Sequence, residues 1–217
     1  MRLGRWGASA PDVADRLDHP RAGLGEDAVD HLSHEVIRRL VSRGRRGLTV
    51  AGVTDGVGVT TTATELVRAL SRLDVSTLLI DADLQRPAAG ARLQAEWAGP
   101  GLAEVLRGEV DFNEALDLTG ERNLAVLHAG HAGSDGEARI FSRAFDEMLE
   151  LSLRRFQITV VDAPPANRST TAFHVARATG YCLLVARRHI SFAQDLSLFA
   201  DQMRQVGAEV LGSVLTG

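Results

Sequence analysis

Three stretches of this sequence carry side chains whose types and spacing suit phosphate chemistry. The first is Gly52-Val53-Thr54-Asp55-Gly56-Val57-Gly58-Val59-Thr60-Thr61-Thr62. A glycine-rich turn between a strand and a helix lets backbone N–H groups surround a phosphate. The helix start adds free N–H groups and the positive end of its dipole. A hydroxyl at the first helical residue, here Thr60, can ligate Mg²⁺. Val59 stands where the phosphate-loop pattern has lysine, and all 24 basic residues of the sequence are arginine. A charged hydrogen bond of the kind that lysine makes is worth about 1.5–3 kcal/mol. Its loss weakens binding by about tenfold or more and slows phosphoryl transfer further. Taken alone, the loop is as readily an ordinary strand–helix turn.

The other two stretches are Leu78-Leu79-Ile80-Asp81-Ala82-Asp83 and Ile158-Thr159-Val160-Val161-Asp162-Ala163-Pro164-Pro165. Each is an apolar run that ends in carboxylates. Carboxylates at strand ends can hold Mg²⁺, directly or through water, and orient a nucleophile. A single aspartate there is more simply a cap or a solvated turn. All three, in this order behind a glycine loop, point to a phosphate site.

These residues need elements that bring them to one edge. Strands are expected at Leu48–Gly52, Ser76–Asp81, Leu124–Leu127, Gln157–Asp162, Tyr181–Ala186 and Glu209–Leu215. Helices are expected at Ala28–Arg43, Thr60–Leu73, Leu102–Leu106, Phe112–Leu116, Ala138–Leu153, Thr170–Ala178 and Phe192–Val206, from apolar residues at helical spacing. The strands are nearly continuous apolar runs, as in a sheet buried on both faces. The expected fold is α/β: three layers of phosphate-loop type, with a mostly parallel sheet and helices on both faces. Ligands in such sheets bind beyond the carboxyl ends of the strands. Residues 1–25, rich in glycine and proline, are expected to form a loose arm, and residues 26–217 a single domain.

Composition narrows the classes. The chain has 217 residues, 45% hydrophobic and 24% charged, with a formal net charge of −4. That suits a soluble globular protein and argues against a nucleic-acid partner. No stretch has the roughly 18 consecutive apolar residues of a membrane helix, and no secretory signal is present. Cys182, the single cysteine, fits a reducing, cytoplasmic setting and a small core residue.

The order of motifs resembles the bacterial polysaccharide-type tyrosine autokinases, from about Ser33 to Gly217. LLIDADLQRP and ITVVDAPP carry the resemblance, with Gly99-Pro100-Gly101-Leu102, the run Asn123–Leu127 followed by Ala129-Gly130, and Gly207–Leu215. The aspartate motifs also occur, in looser form, in partitioning-type ATPases. The resemblance implies ATP or ADP with Mg²⁺, held by the loop Asp55, Gly56, Val57, Gly58, Val59, Thr60 and Thr61. It implies Thr60, Asp81 and Asp162 around the metal, and Asp83, with Asp81, in phosphoryl transfer. It also implies a polysaccharide co-polymerase in the membrane as partner, a homo-oligomer, and a place at the inner face of the plasma membrane.

The departures are as specific. Besides Val59, Gln85 stands where the family has arginine, and Val41 ends what is elsewhere Glu-x-x-Arg-x-x-Arg, after Glu35 and Arg38. The family's tyrosine cluster has no counterpart: Tyr181 is the only tyrosine. These features favour a nucleotide-binding regulator with weak or no kinase activity. The alternatives are an active kinase with an external substrate, a partitioning-type ATPase, and a scaffold without nucleotide. Arg168, Arg187 or Arg188 could supply the missing charge. His31 and His34, or His128 and His131, are more simply surface or turn residues than metal ligands. Arg43, Arg45 and Arg46 are most simply a solvated linker.

Overall fold

The computed structural model describes residues 24–133 and 135–217. The expected arm over 1–25 falls almost wholly outside them. Six strands form one wholly parallel sheet: β1 (Gly47–Gly52), β2 (Thr77–Asp81), β3 (Leu124–Leu127), β4 (Ile158–Asp162), β5 (Tyr181–Arg187) and β6 (Glu209–Thr216). Their spatial order is β3-β2-β4-β1-β5-β6, so the chain winds in both directions from β1. The loop after β1 lies at this reversal, where a doubly wound sheet opens its ligand crevice.

The helices cover both faces. α1 (Glu26–Arg39), α2 (Val59–Arg72) and α3 (Ala89–Leu93) pack on one side, where Val36, Leu66, Leu70 and Leu93 meet Leu48, Val50, Leu79 and Val160. α4 (Leu102–Arg107), α5 (Gly136–Ile140) and α6 (Arg143–Arg155) cover Leu78, Ile80 and Val161 on the other. α7 (Thr171–Thr179) and α8 (Ala193–Gln205) extend that side over Ala51, Cys182 and Leu184. Successive residues of a strand thus face opposite layers, and every residue of β1 to β4 is buried. Cys182 is a core residue whose thiol burial pushes up to about 12.

Four local readings change. Phe112–Leu116 is a turn, not a helix. Phe112, Ala115 and Leu116 are buried with helical spacing, but the chain then crosses to an antiparallel bridge between Asp117 and Val126. The long helix expected over Ala138–Leu153 breaks at Phe141–Ser142, where Ser142 turns to extended backbone and begins α6. α3 lies where the sequence reading assigns no helix. Arg46 is no linker residue: its guanidinium donates to the carbonyls of Leu153, Arg154 and Phe156 at the end of α6, each at 3.4 Å.

Candidate functional site

The loop after β1 turns on two glycines. Gly56 and Gly58 take φ of 75° and 97°, the left-handed region open to glycine. A side chain at Gly52 would strike Cγ2 of Val57 at 2.6 Å and Cγ2 of Val59 at 2.9 Å. Val59 therefore folds back over the end of β1 and packs against the core, in place of a charge at the loop. From Asp55 to Thr61, no backbone N–H has an acceptor among the described residues. Two loop carbonyls are engaged instead: Gly56 accepts from Arg187 Nη1 at 3.1 Å, and Val57 from Thr216 Oγ1 at 2.8 Å. The result is a run of free donors at the start of a 14-residue helix.

A cavity of about 180 Å³ opens over this loop, lined by Thr54 to Gly56, Gly58 to Thr61, Asp83, Arg86, Ala88, Arg92, Ala163 and Pro165. Larger hollows of about 370 and 470 Å³ flank α1. Neither has such a run of donors, so chemistry rather than size selects the smaller one.

The aspartates meet as the sequence implied, with different duties. Asp81 and Asp162 are direct register partners on β2 and β4, and both are buried. Asp81 spends its carboxylate on its own loop. It accepts from the N–H of Asp83 at 3.2 Å, Ala88 at 3.1 Å and Ala89 at 3.0 Å. Burial nevertheless raises its pKa to about 6. Neither oxygen of Asp162 meets a hydrogen bond of normal geometry among the described residues, although the nearby Thr60 hydroxyl acts to favour its charged form. Burial, then repulsion from Asp81, pushes Asp162 well above the usual carboxylate range. An unpartnered buried carboxylate beside a run of amides and Thr60 fits Mg²⁺ and phosphate together: the metal would satisfy the first and the phosphate the second. Among the described residues, no three His, Cys, Asp or Glu side chains gather as a metal site, at this loop or elsewhere.

Asp83 is held by Arg168, whose Nη2 lies 2.5 Å from Asp83 Oδ2 and 3.6 Å from Asp55 Oδ1. Arg168 thus ties the loop after β4 to the loops after β2 and β1. The candidate charges of the sequence are therefore spoken for, Arg168 by carboxylates and Arg187 by the Gly56 carbonyl. Arg188 lies outside the cavity lining. Sequence reasoning missed Arg92 and Thr216. Nothing in their neighbours flags them, because only the fold brings them to the loop. Glu35 and Arg38 form an exposed pair at 2.6 Å, and His34 bonds the Asp30 carbonyl.

Comparison with known proteins agrees with this geometry. Residues 48–216 match the CobQ/CobB/MinD/ParA nucleotide binding domain family. The chain is 28% identical over 201 residues to the tyrosine-protein kinase etk of Escherichia coli K12, which covers 93% of this chain but 27% of that protein. The solved kinase domain of Escherichia coli ETK shares the fold, with a TM-score of 0.82 and 24% identity over 93% of this chain and 84% of that one. The septum site-determining protein MinD of Pyrococcus horikoshii, solved with Mg-ADP, has a TM-score of 0.70 and 21% identity over 78% and 69% of the chains. The chain belongs to the CobQ/CobB/MinD/ParA nucleotide-binding domain family and is similar, within it, to bacterial tyrosine-protein kinases.

Proposed function

We propose that this domain binds ATP or ADP with Mg²⁺ at the β1 loop and regulates exopolysaccharide or capsule synthesis or export, with weak or no kinase activity. The observation that carries the reading is the run of unpartnered N–H groups from Asp55 to Thr61 beside the orphaned carboxylate of Asp162. That pairing has a purpose only when a phosphate and a cation enter together. Loop amides, the α2 N-terminus and Thr60 would hold the phosphates, and Asp162 would hold the metal, directly or through water. The metal would neutralise developing charge on the phosphates. Asp83 would face the transferred group, but its clamp by Arg168 opposes a role as free base.

Weak chemistry follows from two features. Val59 leaves the loop without its lysine charge, and Tyr181, the only tyrosine of these 217 residues, lies in β5 inside the sheet. The partner in this reading is a polysaccharide co-polymerase, approached as a homo-oligomer at the inner face of the plasma membrane. No helix among the described residues is long and apolar enough to cross a membrane.

The second reading is an active kinase on an external tyrosine, which the similarity to etk favours. Phosphotransfer separates the two. Purified protein with Mg²⁺ and γ-labelled ATP is expected to leave Tyr181 unlabelled and hydrolyse ATP near background. Sustained transfer to tyrosines of an added co-polymerase segment would favour the kinase.

A further inference from the structure

The phosphate cavity has lost its lysine, and three arginines near it are already engaged. Arg168 is clamped by Asp83 and Asp55. Arg86 pairs with Asp55 at 3.4 Å. Arg187 donates to the Gly56 carbonyl. Arg92 is different. It lines the same cavity as Gly56, Gly58, Thr60 and Thr61, and no ion pair or side-chain hydrogen bond engages it among the described residues.

From this we infer that Arg92 supplies, from α3, the phosphate-binding charge that the loop lysine supplies in the usual pattern. This rests on the nucleotide-binding reading and adds to it a residue that no loop motif contains. One observation supports the placement. α3 is pinned in place: the Ala88 and Ala89 amides at its start are bound by Asp81. Arg92 follows Ala89 by three residues, about one turn. Asp81 is thereby a positioning residue, holding the short helix that presents Arg92 to the loop.

A guanidinium suits this task. It stays charged at all working pH values and offers several donors to phosphate oxygens.

The test is titration calorimetry of the full chain with MgATP and MgADP. The proteins are wild type, Arg92→Ala, Arg92→Gln, Arg92→Lys and the charge-matched control Arg143→Ala, an exposed site on α6. Loss of a charged hydrogen bond to phosphate should weaken binding about tenfold or more in Arg92→Ala and Arg92→Gln. Arg92→Lys, which keeps the charge, should retain most of the affinity, and Arg143→Ala all of it. Binding by Arg92→Ala and Arg92→Gln equal to wild type would overturn the assignment while leaving the nucleotide reading intact. So would a loss that Arg92→Lys shares in full, since packing rather than charge would then be at stake. Failure of wild type to bind either nucleotide would overturn both.

Discussion

Asp162 concentrates the cost of this site in one side chain. Both its oxygens are buried without a hydrogen bond of normal geometry among the described residues, a cost that a bound cation would relieve. The sign of its pH effect follows from its raised pKa. A carboxyl that holds its proton more tightly in the folded state stabilises the fold at low pH. That stabilisation is lost as pH rises through the folded value, about 6 for Asp81 and well above the usual carboxylate range for Asp162. The ligand-free Asp162→Asn variant should therefore melt higher than wild type at neutral pH. The gap in Tm should widen as pH rises above the ordinary carboxylate range and the wild-type carboxyl ionises. A gain of 1 kcal/mol corresponds to roughly 2–4 °C in a domain of this size. Thermal melts of both proteins across that rise in pH check it, and a gap that narrows with pH would refute it. Saturating Mg²⁺ and nucleotide should reverse the order, because only the carboxylate can hold the metal.

At the scale of elements, the loop is shaped from behind. β6 sits two strands away from β1, yet its Thr216 hydroxyl binds the Val57 carbonyl of the loop after β1, and Arg187 from β5 binds that of Gly56. Engaging the carbonyls leaves the amides as the free groups. Thr216→Val removes the buried donor at little change in volume. It should cost about 0.5–1.5 kcal/mol in denaturant unfolding, and it should weaken nucleotide binding as well, because the loop loses an anchor. A variant with lowered stability and unchanged affinity would show that the anchor does not shape the site. The helices tell a similar story. α2 was legible from Ala63, Leu66, Val67 and Leu70, because one long apolar face dictates it. α3 was not, because five residues around a glycine gain their helix from tertiary anchors on Asp81. The Ala138–Leu153 run misled because apolar spacing continues across Ser142, while the backbone turns there to direct two short helices over different parts of the sheet.

For the whole molecule, the architecture was largely written in the strands. Continuous apolar runs such as Leu78–Ile80 and Ile158–Val161 demand burial on both faces, and alternation with helices leaves a doubly wound parallel sheet. The same logic placed the glycine loop and three aspartates on one edge before any coordinates. Pairings across long sequence separation were not legible. Asp83 with Arg168, Val57 with Thr216 and Arg92 with the loop depend on strand order, and no local pattern encodes them. The chain spans 27% of the length of the kinase it is compared with. The central claim concerns the pocket itself: that a phosphate loop without lysine still binds nucleotide. Titration calorimetry with MgADP and MgATP tests it most directly, with a Thr60→Ala, Asp162→Ala double variant as the blank. Micromolar binding by wild type, lost in the blank, is the expected result. No binding by wild type, with binding gained by Val59→Lys, would contradict it and mark the pocket as a relic of an ancestral site.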